Sequence, residues 1–545
     1  HQPPQAVVAL GNRRIILSGQ IAIANSYTNG NLTTIARGGY PNGHEGESEY
    51  KIEQHYNLGY DIFGNKTSVK IGSDYTLAIY AYDGASRMTG MTYGNGREVG
   101  YEYDSLGRVT KITGGTLTDY TFEYDSAGNM TKMYDRADAT NTYFNYDSVG
   151  RLLSVYKYTN AGKGLSHVAY TYDTANRVTG YRFGDGSGNT KYNSYSFKSD
   201  GTISSYLDES GNRFLYTYDS LQRMYLKTIR HDGNPALTTD ISIEYAKKTG
   251  SSTQTTNRIA SYGYSYRNIS DTVAFLYTYD SAGNIIKAQK QENGTTRTTG
   301  VYEYDSQNQL TYEENHELSE SYIYYYDTYG NMVKREVYAS TYGDSGTCHS
   351  LGELDHTDEY TYDGRDWVDL LVKYNGSSIT YDAIGNPLTY YDGSAMSWRG
   401  RQLINIRKGG NVTVYKYDRD GNRTQKTKNG TDARFYTWIG GKLMREEWTD
   451  GSANKWLEYF YDESGAPEGV KYNDGTAATK YYYVTNAQGD VMEIRNIHNS
   501  LIATYSYDAW GKVVAIKDAN GAEVTSPNVI ASINPIRYRG FYYDA

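Results

Sequence analysis

A short phrase that returns at a fixed interval constrains the fold of this chain more than any other feature. Its clearest copy is YDSAGNM, which covers Tyr124–Met130. Tyr-Asp pairs begin at residues 60, 82, 103, 124 and 146, so the intervals are 22, 21, 21 and 22 residues. A repeat of this period predicts an array of small supersecondary units, each of which needs its neighbours to bury an apolar face.

The residues around each Tyr-Asp pair alternate as they do in a β-strand. An aromatic residue usually lies two positions before the tyrosine, as Tyr101 does before Tyr103 and Phe122 before Tyr124. Alternate residues of a strand share a face, so these aromatics form a stripe on one side. The intervening residue, such as Glu123, points to the other side, which is the period-two pattern of a strand.

The second half of the phrase predicts a turn. Asp can accept a hydrogen bond from the backbone two residues on, and Gly adopts a positive φ without steric cost. An apolar residue such as Met130 then starts the return strand. Each repeat therefore predicts one β-hairpin with a loop of about three to five residues. At ~21 residues per hairpin the chain holds about 26 hairpins, or about 50 strands, and the array is the folding unit because a lone hairpin is barely stable.

Repeated aspartates also admit a catalytic interpretation, because paired carboxylates can perform acid–base chemistry. An aspartate at the same turn position in so many hairpins is better explained by turn formation, so we predict no catalytic residue. Neither a Gly-x-Ser-x-Gly nor a His-Glu-x-x-His motif occurs in the sequence. The residues that we assign to the structural repeat motif are Tyr103, Asp104, Gly107, Tyr124, Asp125, Gly128, Tyr146, Asp147, Gly150, Tyr279, Asp280, Gly283, Tyr326, Asp327, Gly330, Tyr507, Asp508 and Gly511.

Composition indicates what such an array buries. The chain has 63 Tyr, but only 10 Phe and 6 Trp. Tyr buries a large ring while its hydroxyl still finds a partner, so we expect a tyrosine-rich layer in place of an aliphatic core. The net charge of −9 argues against a general nucleic-acid binder, for which a basic stripe is expected. The sequence has no apolar run long enough to span a membrane.

Changes in pattern along the chain predict three regions. Residues 1–50 are expected to be an irregular N-terminal edge, and residues 51–359 a hairpin array with an insertion at about 339–358. Residues 360–545 form the third region, because all six tryptophans lie between positions 367 and 510. Larger core residues in wider sheets explain this enrichment most simply. A carbohydrate-stacking surface is the alternative.

One cluster invites a metal interpretation, namely Cys348 and His349 with the nearby His356. One Cys and two His match the spacing of zinc sites poorly, and the nine histidines form no ligand pair at a usual spacing. We therefore predict neither a metal nor a cofactor. A single cysteine also excludes an internal disulfide framework.

The repeated phrases resemble the YD repeats of the Rhs (rearrangement hot spot) protein family. The most specific likeness is at the end of the chain, in residues 483–491, 505–513 and 534–544, which are similar to the Rhs-associated core. The core-motif residues that carry it are Asn534, Pro535, Arg537, Tyr538, Arg539, Gly540, Tyr543 and Asp544.

This resemblance implies a fold. Relatives include Gram-positive wall-associated Rhs polymorphic toxins, the C component of insecticidal toxin complexes and the teneurin shell. It implies an all-β chain of tandem hairpins in one long spiralling β-ribbon, which forms a hollow shell or part of one. In the toxins an aspartyl autoprotease motif with Asp-Pro and a toxic domain follow the core. No Asp-Pro dipeptide occurs here, so no protease residue is carried over, and we expect the C-terminal part of a longer shell.

The resemblance also implies a function. The chain is expected to be a non-enzymatic shell segment of an exported bacterial Rhs protein, extracellular or cell-wall associated, that encapsulates or displays its own C-terminal toxin or effector domain. The alternative is a cell-surface adhesin or filament-forming protein, with other subunits or surface glycans as partners, and exposure of Trp398, Trp438 and Trp448 would favour it. An enzyme is the third alternative. Nucleic acid is not an expected partner.

Overall fold

The computed structural model describes residues 6–10, 13–18, 21–39, 51–115, 117–184, 190–251, 253–340, 351–364 and 367–544. Half of the insertion predicted at 339–358, namely residues 341–350 with Cys348 and His349, lies outside these residues. The described part contains 45 strands, which is close to the number that the repeat period predicts.

Two antiparallel sheets contain all of these strands, and consecutive strands pair with each other within each sheet. The first sheet has 31 strands. They are β1 Ala6–Leu10, β2 Arg13–Ser18, β3 Ile21–Thr28, β4 Asn31–Gly39, β5 Lys51–Tyr60, β6 Lys66–Ile71, β7 Tyr75–Tyr82, β8 Met88–Tyr93, β9 Glu98–Tyr103, β10 Val109–Gly114, β11 Leu117–Tyr124, β12 Met130–Asp135, β13 Thr140–Tyr146, β14 Leu152–Thr159, β15 Gly164–Tyr172, β16 Val178–Gly184, β17 Thr190–Phe197, β18 Ile203–Leu207, β19 Arg213–Tyr218, β20 Met224–Arg230, β21 Thr238–Lys247, β22 Thr255–Tyr266, β23 Thr272–Tyr279, β24 Ile285–Glu292, β25 Thr295–Tyr304, β26 Leu310–Asn315, β27 Glu320–Tyr326, β28 Met332–Ser340, β29 Leu351–Tyr362, β30 Leu371–Tyr374 and β31 Ser377–Ser378.

The second sheet has 14 strands. They are β32 Thr380–Tyr381, β33 Pro387–Thr389, β34 Ala395–Arg399, β35 Gln402–Lys408, β36 Asn411–Tyr417, β37 Arg423–Lys428, β38 Asp432–Ile439, β39 Lys442–Asp450, β40 Ala453–Tyr461, β41 Pro467–Asn473, β42 Ala478–Thr485, β43 Val491–Asn496, β44 Leu501–Tyr507 and β45 Val513–Asp518. The helical elements are one short helix, α1 Ile530–Ile533, and 3₁₀ turns at His231–Gly233 and Tyr538–Gly540.

The all-β class and the tandem hairpins predicted from the sequence are confirmed. Strands β1 to β4 lie within residues 1–50, where an irregular edge was expected, and their pairing with each other and with β5 continues the same meander. The break between the two sheets falls between β31 and β32. The predicted division at 359/360 stays a prediction.

A bulge beside the motif tyrosine bends each hairpin. In β11–β12, Glu123 pairs with Lys132 but Tyr124 pairs with Met130, so the register shifts by one residue at the end of the strand. The same shift precedes Tyr146, Tyr279, Tyr326 and Tyr507. Bulges increase the local twist and bend the strand, and repeating one in each hairpin curves the whole ribbon.

The ribbon coils back on itself. Tyr75 Oη donates to Asp363 Oδ2 at 3.0 Å across 288 residues of sequence, and Asn315 Nδ2 donates to the Tyr507 carbonyl at 3.1 Å across 192 residues. The later of the two contacts lies further along the chain on both sides, so the two segments run past each other in the same direction. The number of residues between the bonded partners falls from 288 to 192, so the coil tightens towards the C-terminus. We call residues 51–362 the first winding, residues 363–518 the second winding, and the contact between them the seam.

The most buried side chains lie along the seam. One cluster joins Val168 and Phe183 of the first winding to Leu457, Val470 and Ile494 of the second. A second cluster is built mainly from tyrosine and phenylalanine of the first winding. Tyrosine therefore contributes heavily to the core, as its abundance predicts, but aliphatic residues of the second winding complete it.

Candidate functional site

The motif aspartate closes the hairpin turn. Asp104 Oδ1 accepts hydrogen bonds from the backbone N–H groups of Leu106 and Arg108, both at 2.9 Å, and Oδ2 accepts from Arg108 Nε at 2.7 Å. Gly107 has a φ of 81°, a backbone conformation that would be strained in a residue with a side chain. The backbone hydrogen bond from Arg108 is the largest cause that lowers the pKa of Asp104, so this carboxylate is committed to the turn.

The other copies of the repeat motif that the sequence analysis names have the same turn geometry. In each of them Oδ1 of the aspartate accepts from the backbone N–H four residues later at 2.8 or 2.9 Å. These aspartates are Asp125, Asp147, Asp280, Asp327 and Asp508. The turn glycines have φ values between 80° and 104°, and they are Gly128, Gly150, Gly283, Gly330 and Gly511.

The motif tyrosine ties its hairpin to the preceding one. Tyr124 Oη donates to the carbonyl of Val109 at 2.7 Å, and Val109 begins the strand that follows the previous motif turn. Tyr103, Tyr146, Tyr279, Tyr326 and Tyr507 make the equivalent bond at 2.6 to 3.0 Å. The sequence pattern predicts the buried ring, and the structure adds the role of the hydroxyl as an inter-hairpin donor.

Two tryptophans of the second winding occupy this same position. Trp398 Nε1 donates to the Pro387 carbonyl at 2.6 Å, and Trp438 Nε1 donates to the Arg423 carbonyl at 2.8 Å. The indole N–H therefore replaces the tyrosine hydroxyl. This arrangement supports the simpler interpretation of the tryptophan enrichment, since these rings serve hairpin packing.

A basic residue in the turn couples successive repeats. The guanidinium carbon of Arg108 lies 4.7 Å from the centre of the Tyr124 ring, and Arg108 Nη1 donates to the Asp125 carbonyl at 3.0 Å. Arg87 makes the same pair of contacts with the next repeat. Cation–π contacts of this kind contribute about 0.5–1 kcal/mol at exposed sites. We call the row of motif turns the motif edge of the ribbon, and the row of alternate turns the opposite edge.

Buried charges lie across the seam, and the sequence pattern did not predict them. Lys227 of β20 forms ion pairs with Asp462 at 3.0 Å and with Glu468, and the three side chains are only 3, 7 and 10% exposed. Burial raises the pKa of Glu468 to about 7, against the opposing effect of the Lys227 ammonium. Since β20 and β41 are far apart in sequence, this cluster ties the first winding to the second at this point.

Two further polar clusters follow along the seam. Lys290 Nζ lies 2.7 Å from Glu493 Oε1, and Glu493 is 1% exposed. Glu313 accepts a hydrogen bond from Tyr324 Oη at 2.6 Å and from the backbone N–H of Ala509 at 3.2 Å. Burial raises the pKa of Glu313 to about 7. A charged residue at an inward-facing strand position was the only sequence signal for these contacts.

The core motif folds back over the last strands. Asn534 is fully buried, its Oδ1 accepts from Tyr483 Oη at 2.6 Å, and its Nδ2 donates to the Ile536 carbonyl at 2.7 Å. Arg537 Nε donates to the Asn534 carbonyl at 3.0 Å, and its guanidinium lies 4.3 Å from the ring centre of Tyr543. The Asn-Pro-x-Arg segment is thus a clamp built on β42.

The remaining core-motif residues extend the clamp to two other hairpins. Tyr538 Oη donates to the Ala509 carbonyl at 3.0 Å, and the backbone N–H of Arg539 donates to Asp490 Oδ1 at 2.8 Å. Asp544 forms ion pairs with Arg423 and with Lys426, the latter at 2.7 Å. Pro535 accepts through its carbonyl from the Tyr543 N–H at 2.6 Å, and Gly540 has a φ of 70°.

A cavity of about 630 Å³ lies between the first winding and this clamp. Aromatic side chains such as Tyr302 and Tyr507 line it together with charged groups, including Arg297 and Asp490. The charged groups of both signs pair with each other, as Arg297 does with Glu317 and Glu292. Among the described residues no group of three His, Cys, Asp or Glu could hold a metal ion, and no helix is long and apolar enough to cross a membrane.

Comparison with known proteins shows which proteins the chain resembles. The teneurin YD-shell family matches residues 47–134. The tRNA3(Ser)-specific nuclease WapA of Bacillus spizizenii and the tRNA nuclease WapA of Bacillus subtilis (strain 168) are each 30% identical over 246 residues, which is 44% of this chain and 9% of each relative. The chain is therefore similar to YD-repeat proteins of the Rhs family.

Solved structures agree with this YD-repeat fold. The crystal structure of TcdB2-TccC3-TEV matches 98% of this chain and 30% of its own, with a TM-score of 0.63 and 14% identity. That of TcdB2-TccC3 matches 98% of this chain and 31% of its own, with a TM-score of 0.58 and 14% identity. The likeness covers both windings, so the second winding shares the fold of these structures as much as the regular repeats do.

Proposed function

We propose that this YD-repeat protein is a non-enzymatic shell segment that encloses or displays a polypeptide, namely a C-terminal toxin or effector domain of the same gene product. The observation that carries the proposal is the coiled ribbon with its buried seam. A ribbon held to itself by buried ion pairs separates an inside from an outside, and its paired strands offer few free edges. The family further supports an exported protein, extracellular or associated with the cell wall.

The aspartates of the repeat support the non-enzymatic assignment. Each selected motif aspartate accepts hydrogen bonds within its own turn, which leaves the carboxylate engaged in structure. The WapA relatives are named as tRNA nucleases, and we place that activity outside the segment that resembles this chain. Purified chain incubated with total tRNA should leave it intact, and cleavage above that of a buffer control would contradict the assignment.

The containment proposal predicts protease protection. An unstructured reporter peptide with several protease sites is fused after Ala545, and the same peptide is fused before His1 of a second copy as the matched control. The C-terminal reporter should be cleaved more slowly than the N-terminal one, by an order of magnitude or more. Equal cleavage rates, with the coiled fold intact by circular dichroism, would overturn containment.

The adhesin alternative depended on exposed tryptophan. Trp448 is 8% exposed and packs in the core, and Trp398 and Trp438 are half-buried donors to the preceding hairpin. Trp510 is 53% exposed, which leaves a single exposed indole among the six. Stacking platforms for sugars usually need more than one such ring, so shell formation is the better-supported proposal. Binding to a glycan array that Trp510→Ala abolishes would restore the alternative.

A further inference from the structure

The cavity between the first winding and the clamp runs across the width of the ribbon. Its lining follows strand β24 from Ile285 at the motif edge to Glu292 at the opposite edge, and at about 3.3 Å per residue this strand is ~25 Å long. A volume of about 630 Å³ spread over that length makes a groove that suits an extended chain better than a compact ligand. Trp510 and Arg539 line it and are 53 and 45% exposed, so the groove is open to solvent there.

The groove lies between facing surfaces of the two windings. Phe275 of β23 lines it and also belongs to a buried cluster of the first winding. In the second winding Thr504 pairs with Glu493 of β43 and with Lys517 of β45, so these three side chains share one face of the sheet. Glu493 forms its ion pair with Lys290 of β24, so this face of the second winding looks onto the first.

Hydroxyl groups on both walls of the groove are available to a ligand. Those of Tyr302, Thr504 and Ser506 make no hydrogen bond to any residue that the structure describes. Tyr277 Oη accepts from the backbone N–H of Ala487 at 3.2 Å and keeps its own proton to donate. A hydroxyl both donates and accepts, so these groups can pair with the N–H and C=O groups of an extended polypeptide.

Two cations of the lining are exceptions to the pairing of charges in the cavity. Among the described residues no acidic group lies within ion-pair distance of the Lys517 ammonium. The Arg539 guanidinium comes only to 4.0 Å from Asp490. The oxygens of Asp490 are already engaged, since they accept from the Arg539 backbone N–H at 2.8 Å and from Asn486 Nδ2 at 2.6 Å. The groove therefore offers two cationic groups to an incoming carboxylate.

The backbone of Arg539 supports a binding role for its side chain. Its φ is 53°, in the left-handed region that residues with long side chains rarely adopt. Nearby Arg537 is buried and donates to the carbonyls of Asn534 and Ser532, whereas the Arg539 guanidinium lies beside the Tyr538 ring, 5.2 Å from its centre. Backbone strain at a residue whose side chain does not stabilise the fold is a feature of ligand-binding positions.

We propose that this groove binds an extended segment of the enclosed polypeptide in which an aromatic side chain lies beside a carboxylate. The aromatic ring packs among the tyrosines of the lining, such as Tyr302 and Tyr507, and the carboxylate pairs with Arg539 and Lys517. This inference rests on the proposed function and names the feature of the cargo that the shell recognises, whereas enclosure alone requires no recognition.

The test is isothermal titration calorimetry of the full chain with the peptide acetyl-Ser-Ser-Asp-Phe-Asp-Ser-Ser-amide, whose seven residues span ~25 Å when extended. This acidic peptide should bind with a Kd of about 100 μM or lower. A neutral peptide with Asn in place of both Asp should bind about tenfold more weakly, because the charge-assisted hydrogen bonds are lost. Replacement of the Phe by Ser should weaken binding to a similar degree, because the buried ring is lost.

Arg539→Gly separates binding from folding. Glycine adopts a φ of 53° without strain and keeps the backbone N–H that Asp490 accepts, so the melting temperature should be kept. Affinity for the acidic peptide should nevertheless fall about tenfold or more. Arg267→Gln is the matched control, because Arg267 is 54% exposed, pairs with Asp240 and does not line the groove.

Three results would each overturn the groove as a recognition site. They are no binding at about 1 mM acidic peptide, equal affinity for the acidic and neutral peptides, and equal losses in Arg539→Gly and Arg267→Gln. Phenylacetate that binds as tightly as the acidic peptide would overturn the polypeptide as ligand in favour of a small aromatic acid. Peptide binding that passes these tests in a chain that fails the protease-protection test would support the groove and overturn containment alone.

Discussion

Removal of the Lys227 ammonium should weaken the seam specifically. The ammonium is 3% exposed and lies between the carboxylates of Asp462 and Glu468, which are themselves nearly buried. Lys227→Met keeps most of the side-chain volume but leaves the two carboxylates without their counter-charge. Breaking a buried ion pair by removing one partner costs about 3–5 kcal/mol, because an uncompensated charge stays in a poorly solvated site.

The appropriate assay is native-state hydrogen exchange, because a chain of this size need not unfold in one step. Amides of β20 and β41 should exchange about 100- to 5,000-fold faster in Lys227→Met, which corresponds to the same 3–5 kcal/mol. Amides of β9 and β10, far from this cluster, should be unchanged. The loss should be larger at pH 8 than at pH 5.5, because in acid the abandoned carboxylates can take up a proton.

Two further variants test whether the buried ion pair causes the effect. Lys132→Met breaks a pair with Glu123, in which the two side chains are 30 and 64% exposed, and it should cost less than about 1 kcal/mol. Adding Glu468→Gln to Lys227→Met removes one abandoned charge and should restore part of the lost protection. If Lys227→Met and Lys132→Met had equal effects, the buried pair would not be what holds β20 against β41.

Three other perturbations test the repeat, the pH dependence and the clamp. Tyr124→Phe removes the donor to the Val109 carbonyl and should cost about 0.5–1.5 kcal/mol in denaturant unfolding of its region; no loss would mean that the hydroxyl is dispensable. Burial raises the pKa of Glu313 to about 7, above the ~4.3 of an unfolded glutamate, so its contribution is fully present below about pH 4 and is lost as pH rises through 7, by at most about 1.4 kcal/mol per pH unit. Glu313→Gln should flatten that part of the stability profile between pH 5 and 8, and an unchanged slope would contradict the assignment. Asn534→Ala leaves the Tyr483 hydroxyl unpaired in the core and should cost about 1–3 kcal/mol, with lower thermal stability as the readout, whereas a neutral effect would remove the clamp from the account.

Local features of the repeat could be predicted from the sequence because they depend on residues a few positions apart. The turn at Asp104 follows from Asp and Gly at fixed offsets, and the aromatic stripe follows from the alternation around Tyr124. The partner of the tyrosine hydroxyl could not be predicted in this way. It depends on the register between hairpins, which the bulge beside each motif tyrosine sets.

The contacts at the seam could not be predicted from local sequence patterns, for a physical reason. Lys227 lies in the strand MYLKTIR, where a lysine would normally be expected to face solvent, and only the return of the ribbon 235 residues later encloses it. The curvature of the coil is the sum of many small bends, one in each hairpin. That curvature decides which hairpins of the two windings come into contact. The assignment of Asn534 to the core motif came from resemblance alone, and its buried amide contacts emerged from the structure.

The most direct test of the coiled shell is single-particle electron cryomicroscopy of the purified chain with no symmetry imposed. We expect a coiled particle in which the second winding lies against the first, with the turn at 462–466 packed on β20 and the clamp closing the last hairpins. An extended or open ribbon, in which the second sheet stands apart from the first, would contradict the seam and the containment function built on it.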